Sequence, residues 1–319
     1  KKFFIMLNRR HIRIKVMQSL YSLKGAEDAN VVKEEKFLRK SLDNLFELYL
    51  YNLSLIQEVY KKSQELIAKS KTKLLPTQAD INPNAKLVNN QALLKIVNNP
   101  KLNVTLEDRK LNPWYLDFDY VDLIHKAMIE SDFYKEYMDS TNQSFEEDKQ
   151  FLVDLFTKVI APNEKLYDYF EDKCLTWLDD LPLVNTFILK KLNKLSTATE
   201  PNAFVPKLYR DQEDEAFGGD LFKKTLLNSS KLQDEVVAKT TNWDKERIAE
   251  LDGVLLQMAV CEFQKFPSIP VKVTINEYLE IAKEYSTPKS SIFINGILDK
   301  IVKEYKANNN LNKTGRGLM

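Results

Sequence analysis

The residues best suited to chemistry in this sequence are the cations at its start. Lys1, Lys2, Arg9, Arg10, Arg13, Lys15 and Lys24 fall within the first 25 residues, and no acid accompanies them. Residues 299–319 add five basic against two acidic groups, while the whole chain of 319 residues carries only +1. The two ends thus hold +7 and +3, which leaves −9 for the body between them. A basic terminus on an acidic body suits contact with a polyanion such as nucleic acid, because guanidinium and ammonium groups displace its counterions. Arg9 and Arg10 fall in the first turn of a helix expected over residues 8–24. The helix dipole disfavours cations there unless an anion is close. A solubilising terminus is the plainer reading of the same charge, and residues 1–5 read equally as an addition ahead of a natural start at Met6.

Other chemistries find few residues. His11 and His125 are the only histidines, and Cys174 and Cys261 the only cysteines, neither of them in a CxxC. That spacing excludes a zinc finger and a disulfide framework, and it fits a reducing, cytoplasmic setting. No metal site, cofactor or catalytic group is expected. Only 7 glycines occur, and none between Gly25 and Gly218. Dinucleotide-binding loops, phosphate-binding loops and nucleophile elbows all need glycine where the backbone turns sharply or approaches phosphate. No apolar run approaches the ~18 residues that span a bilayer, so no membrane partner is expected.

The elements that must position the cations are helices. Ile12, Val16, Leu20 and Leu23 recur at helical spacing in the first, where the stem of Arg13 is placed to cover apolar surface. Leu38, Leu42, Leu45, Tyr49, Leu53, Ile56 and Tyr60 stripe a long second helix over 37–69, about 50 Å in length. A Pro- and Asn-containing loop over 70–90 follows. Further helices are predicted over 91–97, 119–138, 145–160, 165–178, 183–195, 211–227, 231–240, 244–265, 271–285 and 290–306. The segment 196–206 reads as a linker and 307–319 as a frayed tail. The expected division is therefore a helical region over 1–200 and a second helical domain over 201–319. Between offset stretches 154–177 and 220–243, 9 of 24 positions are identical, including Trp177 and Trp243. This predicts an internal helical repeat, against the simpler reading of two similarly patterned amphipathic helices.

The last hundred residues carry a more specific pattern. Trp243-Asp244-Lys245-Glu246-Arg247-Ile248 leads into Asp252, Val254, Leu255, Ala259 and Glu262. Ile269-Pro270, Val273 and Ile275-Asn276-Glu277 follow, then Glu280-Ile281-Ala282-Lys283 with Tyr285, then Ser290-Ser291 and Phe293-Ile294-Asn295-Gly296-Ile297-Leu298-Asp299. At the other end stand Arg9-Arg10-His11-Ile12-Arg13 and Gln18-Ser19-Leu20-Tyr21. Together these resemble the NusB family of bacterial transcription antitermination factors, in the long form found in the Bacteroidetes group. The middle, about 26–205, is an insert beyond what a typical member requires.

The resemblance implies an all-α fold of NusB-like helical bundles and a binding protein rather than an enzyme. Its implied partners are boxA-like single-stranded RNA, the ribosomal protein NusE and the RNA polymerase antitermination complex. Arg9, Arg10, Arg13, Lys15 and Lys289 are the expected phosphate contacts. Tyr21 and Phe293 are the expected stacking faces, each reading equally as a core aromatic. Glu246, Glu250 and Asp252 are the expected NusE contact, unless they form only a solvated acidic face. Asn276 and Glu277 read as a polar pair at a helix start, and Asn295-Gly296 as a place of close helix packing. The chain departs from the family pattern at Ile12, where a small residue is usual, and at Ile292 and Gly253, where a basic one is. NusB-like domains also occur fused to RNA cytosine methyltransferases, but the glycine-free middle leaves no room for a cofactor-binding α/β domain. A protein-only adaptor with little RNA contact remains the alternative function.

Overall fold

A computed structural model of the protein describes residues 5–24, 30–240 and 249–318. It is all-α, as the glycine-poor, helix-periodic sequence predicts. Among the described residues the only β-type pairing is an isolated parallel bridge between Ile5 and Lys207. The chain forms two compact units. One is built from Asp43–Leu208 together with the start of the chain to Met6, and the other from Leu7–Leu42 and the chain from Tyr209 onward. The first is therefore an insertion in the sequence of the second. This differs from the division expected at 200/201: Leu7–Leu42, with the first helix and the opening of the second, belongs with the C-terminal helices, and the later boundary falls at 208/209.

That C-terminal unit begins with α1 (Arg9–Ser22), followed by the opening turns of α2 (Val31–Ser70), inside which the division between the units falls. Asn8 caps α1 by accepting from the His11 N–H at 3.0 Å, and His11 Nδ1 accepts from the Asn8 N–H at 3.3 Å. Two orphan donors are thereby satisfied without glycine or serine.

The inserted unit continues α2 and adds α3 (Gln78–Ile81), α4 (Gln91–Val97), α5 (Pro100–Asp108) and α6 (Pro113–Leu116). α7 (Phe118–Glu130), α8 (Asp132–Asp139), α9 (Phe145–Asp154), α10 (Glu164–Lys173) and α11 (Trp177–Asn193) follow. Asparagine sets several helix starts. Asn90, Asn99 and Asn163 each accept from the leucine N–H three residues on, at 2.8, 2.9 and 3.0 Å. The helix predicted over 119–138 divides at Ser131, which is extended and caps α8 through Tyr134 N–H. α5 and α6 escape the periodicity reading, yet each opens with proline just inside its first turn, a start signal in its own right. The core is aromatic: the Tyr51 ring meets Trp177 edge-on at 4.9 Å and Trp114 at 6.0 Å, and Tyr169 packs on Trp114 at 5.4 Å.

The remaining helices of the C-terminal unit are α12 (Gln212–Leu227), α13 (Ser229–Val237), α14 (Glu250–Lys265), α15 (Val271–Tyr285) and α16 (Ser290–Ala307). α1 packs against α12, α14 and α15. Ile12 through Met17 are all buried, with Ser19 and Leu20. A helix read as one-sided is thus enclosed on several sides. Ile12, bulky where the family resemblance expects a small residue, is accommodated from across the contact. A Cβ on Gly218 would lie 2.8 Å from the Ile12 side chain. The tail, expected to fray, folds back instead. Thr314 N–H donates to Pro267 O at 3.0 Å, and Gly317 sits so close that a Cβ would fall 1.9 Å from that oxygen.

The offset repeat is not established by the fold. Leu155 and Leu221, Phe156 and Phe222, and Leu166 and Leu232 are all buried, so amphipathic patterning accounts for their identity. Leu155–Ile160 is π-helical, whereas its counterpart lies inside regular α12. Trp243 falls outside the described residues.

Two outcomes follow from this packing. Gly218→Ala should destabilise by about 1–3 kcal/mol through overpacking, and Ile12→Ala should relieve part of that in the double variant. Chemical denaturation of the cycle checks it; strictly additive effects would mean the two residues do not meet. His125 is buried, with Nε2 3.0 Å from Ser63 Oγ. Burial lowers its pKa and Lys62 lowers it further, against an opposing pull from Asp122. Its folded value lies below an unfolded value of about 6.5, so its contribution is complete above pH ~6.5 and is lost as pH falls toward the folded value. Denaturant midpoints at pH 7.5, 6.5 and 5.5 should fall less steeply for His125→Gln than for the parent; parallel slopes would exclude this assignment.

Candidate nucleic-acid and partner interface

Arg13 lies at the centre of the C-terminal unit, 2% exposed, and its guanidinium donates to Glu262 at 2.9 and 2.7 Å. Glu262 is fully buried on α14 and also accepts from Thr274 Oγ1 at 2.7 Å and Tyr278 OH at 3.2 Å, both on α15. The Phe217 and Tyr278 rings lie 5.1 and 5.8 Å from the guanidinium carbon. Four helices thus meet on one ion pair. Burial alone would lower the Arg13 pKa, but Glu262 outweighs it and the net shift is upward. Burial, with Glu262 beside it, pushes the Tyr278 hydroxyl well up, so it stays a donor. Arg13 is an interior tie rather than a surface cation. Lys15 is likewise buried within α1. Both were expected at the RNA surface, and both are drawn inside because α1 is covered on several faces.

Arg9 and Arg10 stand at the exposed start of α1. Arg9 donates to Glu213 and Asp214, each at 2.7 Å, and its guanidinium lies 5.0 Å from the Phe217 ring centre. Arg10 makes a bidentate pair with Glu277 at 2.8 and 2.9 Å. Burial lowers the Arg9 pKa but its carboxylates more than compensate, and the hydrogen bonds to Glu277 raise that of Arg10. The anions that the first-turn arginines call for are therefore supplied by the protein itself. Glu277, read from sequence as a helix-start residue, falls in the second turn of α15 and serves as the Arg10 partner.

The opposite end of α1 gathers a second group. Lys24 Nζ lies 3.9 Å from the Glu250 carboxylate, which joins the end of α1 to the start of α14. Asp252, in the same first turn of α14, is buried and accepts from Ser286 Oγ at 2.6 Å and Ser290 Oγ at 2.7 Å. It pins the α15–α16 connection, beside which Lys289 is exposed. Tyr21, Lys24, Glu250 and Lys289 thus belong to one end of the unit, with Tyr21 44% exposed. Asp252 is structural there, and Glu246 lies outside the described residues. Phe293 is buried in the α16 packing, whereas Ile292 stands 73% exposed. A Cβ on Gly296 would meet nothing within 4 Å, so Asn295-Gly296 does not mark close helix packing.

The sequence-predicted site is thereby divided: Arg9 and Arg10 at one end of α1, Tyr21 and Lys289 at the other, Arg13 and Lys15 between them in the interior. Glu262, Glu277, Glu213 and Asp214 were missed as partners. The available signal was a lone carboxylate within the apolar run Val260-Cys261-Glu262-Phe263 and a lone guanidinium within Ile12-Arg13-Ile14.

The geometry defines a class: an all-helical bundle organised on a buried arginine–glutamate pair, with charged groups displayed at both ends of its central helix. Comparison with known proteins identifies the class further. The NusB family model matches residues 188–303. The transcription antitermination protein NusB of Salinibacter ruber is 41% identical over 112 residues, 35% of this chain and 70% of that protein. The NusB proteins of Chloroherpeton thalassium and Koribacter versatilis are 39% and 38% identical over 99 and 97 residues. Those matches cover 31% and 30% of this chain, and 47% and 66% of the relatives. No solved structure matches the chain at a significant level. The chain belongs to the NusB family and is longer than the stretch it shares with these relatives. No helix among the described residues is long and apolar enough to cross a membrane.

Removing one partner of the central pair should leave a buried charge uncompensated. Arg13→Met should cost about 3–5 kcal/mol, and the further change Glu262→Gln should add much less than it does alone. Guanidinium denaturation of the four proteins in the cycle checks the coupling; additive losses would show that the pair is not the tie described.

Proposed function

We propose that the protein is an RNA- and protein-binding transcription antitermination factor. In this reading it takes up boxA-like single-stranded RNA together with ribosomal protein NusE and promotes processive ribosomal RNA transcription within the RNA polymerase antitermination complex. The observation that carries the proposal is membership of the NusB family, with relatives at 38–41% identity named transcription antitermination protein NusB. Arg9 and Arg10, part-exposed at the start of α1, are the proposed phosphate contacts at one end. Tyr21 as a stacking face and Lys289 as a cation are the proposed contacts at the other. Phosphates exchange with the carboxylates that hold the two arginines in the free protein. Glu250, exposed at the start of α14, is the proposed NusE contact, along with Glu246.

A second reading, a protein-only adaptor, is favoured by one specific observation. Two of the expected RNA cations are buried and two are already paired with carboxylates. The two readings differ in what RNA binding should show. On a boxA-like RNA in the presence of NusE, Arg10→Ala and Lys289→Ala should each weaken binding and reduce the slope of log K against log salt by about 0.7. Tyr21→Ala should weaken binding with the slope unchanged. The Arg10 pair is partly exposed, so thermal stability should change little. Unaltered slopes in both cation variants, with NusE binding retained, would favour the adaptor. Glu250→Lys should slow NusE association at low salt and less at high salt by surface plasmon resonance; equal association rates would place the NusE contact elsewhere.

A further inference from the structure

The inserted unit exposes a group of large apolar side chains in two acidic stretches. Tyr115 and Leu116 on α6, Phe118 at the start of α7 and Leu175 after α10 are 76%, 81%, 57% and 72% exposed. They come from two stretches held side by side. Asp117, between Leu116 and Phe118, accepts from Tyr169 OH at 2.7 Å and lies 3.0 Å from Lys173 Nζ, two residues before Leu175. The Tyr120 and Tyr169 rings, 4.4 Å apart, pack the same two stretches together. Beneath the exposed group lies a rigid floor, in which Trp114 Nε1 donates to Ser54 Oγ at 2.9 Å and Trp177 Nε1 to Asn44 O at 2.7 Å. The patch is thus a solvent-facing apolar cluster on well-packed supports, which in a protein surface marks a docking site.

Its charge selects the partner. The stretches 115–122 and 165–179 hold seven acidic and two basic residues. Two of the acids are already in ion pairs, Asp117 with Lys173 and Asp122 with Lys62. Asp119, Asp168, Glu171 and Asp172 are exposed in the same two stretches. An acidic rim repels nucleic acid and anionic lipid headgroups. It also disfavours a second copy of this chain, since a two-fold contact would set like charges opposite each other. It attracts a segment with lysine or arginine flanking large apolar anchors.

We propose that this face of the inserted unit docks a basic, amphipathic protein segment, its apolar side chains on Tyr115, Leu116, Phe118 and Leu175 and its cations on the acidic rim. The site lies in the unit outside the NusB-type helices α12–α16 and gives the insertion a binding role separate from the proposed RNA and NusE contacts.

The test uses the full chain and a synthetic leucine–lysine amphipathic helix, with a leucine–glutamate peptide of the same pattern as control, read by fluorescence anisotropy across a salt series. The lysine peptide should bind and weaken with salt, and the glutamate peptide should not bind. The triple variant Tyr115→Ser, Leu116→Ser, Leu175→Ser should lose at least about tenfold in affinity. Leu74→Ser with Leu75→Ser, which alters exposed leucines elsewhere, should lose nothing. Asp119→Lys with Asp172→Lys should weaken binding mainly at low salt, and it reports on the site should the triple variant fail to fold. Equal losses in the Leu74/Leu75 variant, or equal binding of the glutamate peptide, would overturn the proposal as general stickiness. So would a dimer, by sedimentation, that the triple variant abolishes, since the face would then serve a second copy.

Discussion

The C-terminal unit depends on burying Arg13 against Glu262. A guanidinium in a helical core is tolerable only if its charge is matched and its hydrogen bonds are made. Here one carboxylate takes two of them, and Thr274 and Tyr278 direct their hydroxyls to that same carboxylate. The pair fixes the positions of α1, α14 and α15 together, because moving any one of them would strand a buried charge. Apolar contacts alone permit sliding; this pair does not. The close approach of Gly218 to Ile12 sets how deeply α1 sits against α12. The arginines at the start of α1 and the cluster at its end take their places from these two constraints.

A division of labour among the charged residues follows. Asp252 and Glu262 are both acids on α14, and both turn inward to hold neighbouring elements. Glu250, between solvent and Lys24, is the one at the surface. Arg9 and Arg10 lie between these extremes, with part-exposed guanidinium groups on carboxylate partners. Any anion that reaches them competes with Glu213, Asp214 and Glu277, so recognition at that end is an exchange of partners. Such an exchange gains less affinity than contact with free cations would, because each ion pair lost offsets part of each one formed.

The insertion at 43–208 has its own aromatic core, its own asparagine caps and its own surface chemistry. Its net acidity and exposed apolar group contrast with the basic start of the chain. A discontinuous unit interrupted by a compact insertion gains surface that the host helices do not supply. Met6 N–H donates to Lys207 O at 3.0 Å, next to the Ile5–Lys207 bridge, at the two places where the chain leaves the inserted unit for the other.

Much of this was legible in the sequence. The shortage of glycine and the 3.6-residue periodicity determined an all-α fold, and the motifs at both ends determined the family. Helix starts at Asn90, Asn99 and Asn163 were encoded locally, since an asparagine side chain needs only its own backbone neighbours to cap. The break at Ser131 was encoded in the same way, though the apolar stripe concealed it. What only the tertiary structure decided was which charges face water. One helix's periodicity reports one stripe, and α1 is covered on several sides by helices more than 190 residues away in sequence. Arg13 and Lys15 therefore read as surface cations until α12, α14 and α15 close over them. Asp252 read as part of an acidic ridge until Ser286 and Ser290 were brought to it. Burial of a charge depends on what arrives from elsewhere in the chain, and a partner some 250 residues distant leaves no local pattern.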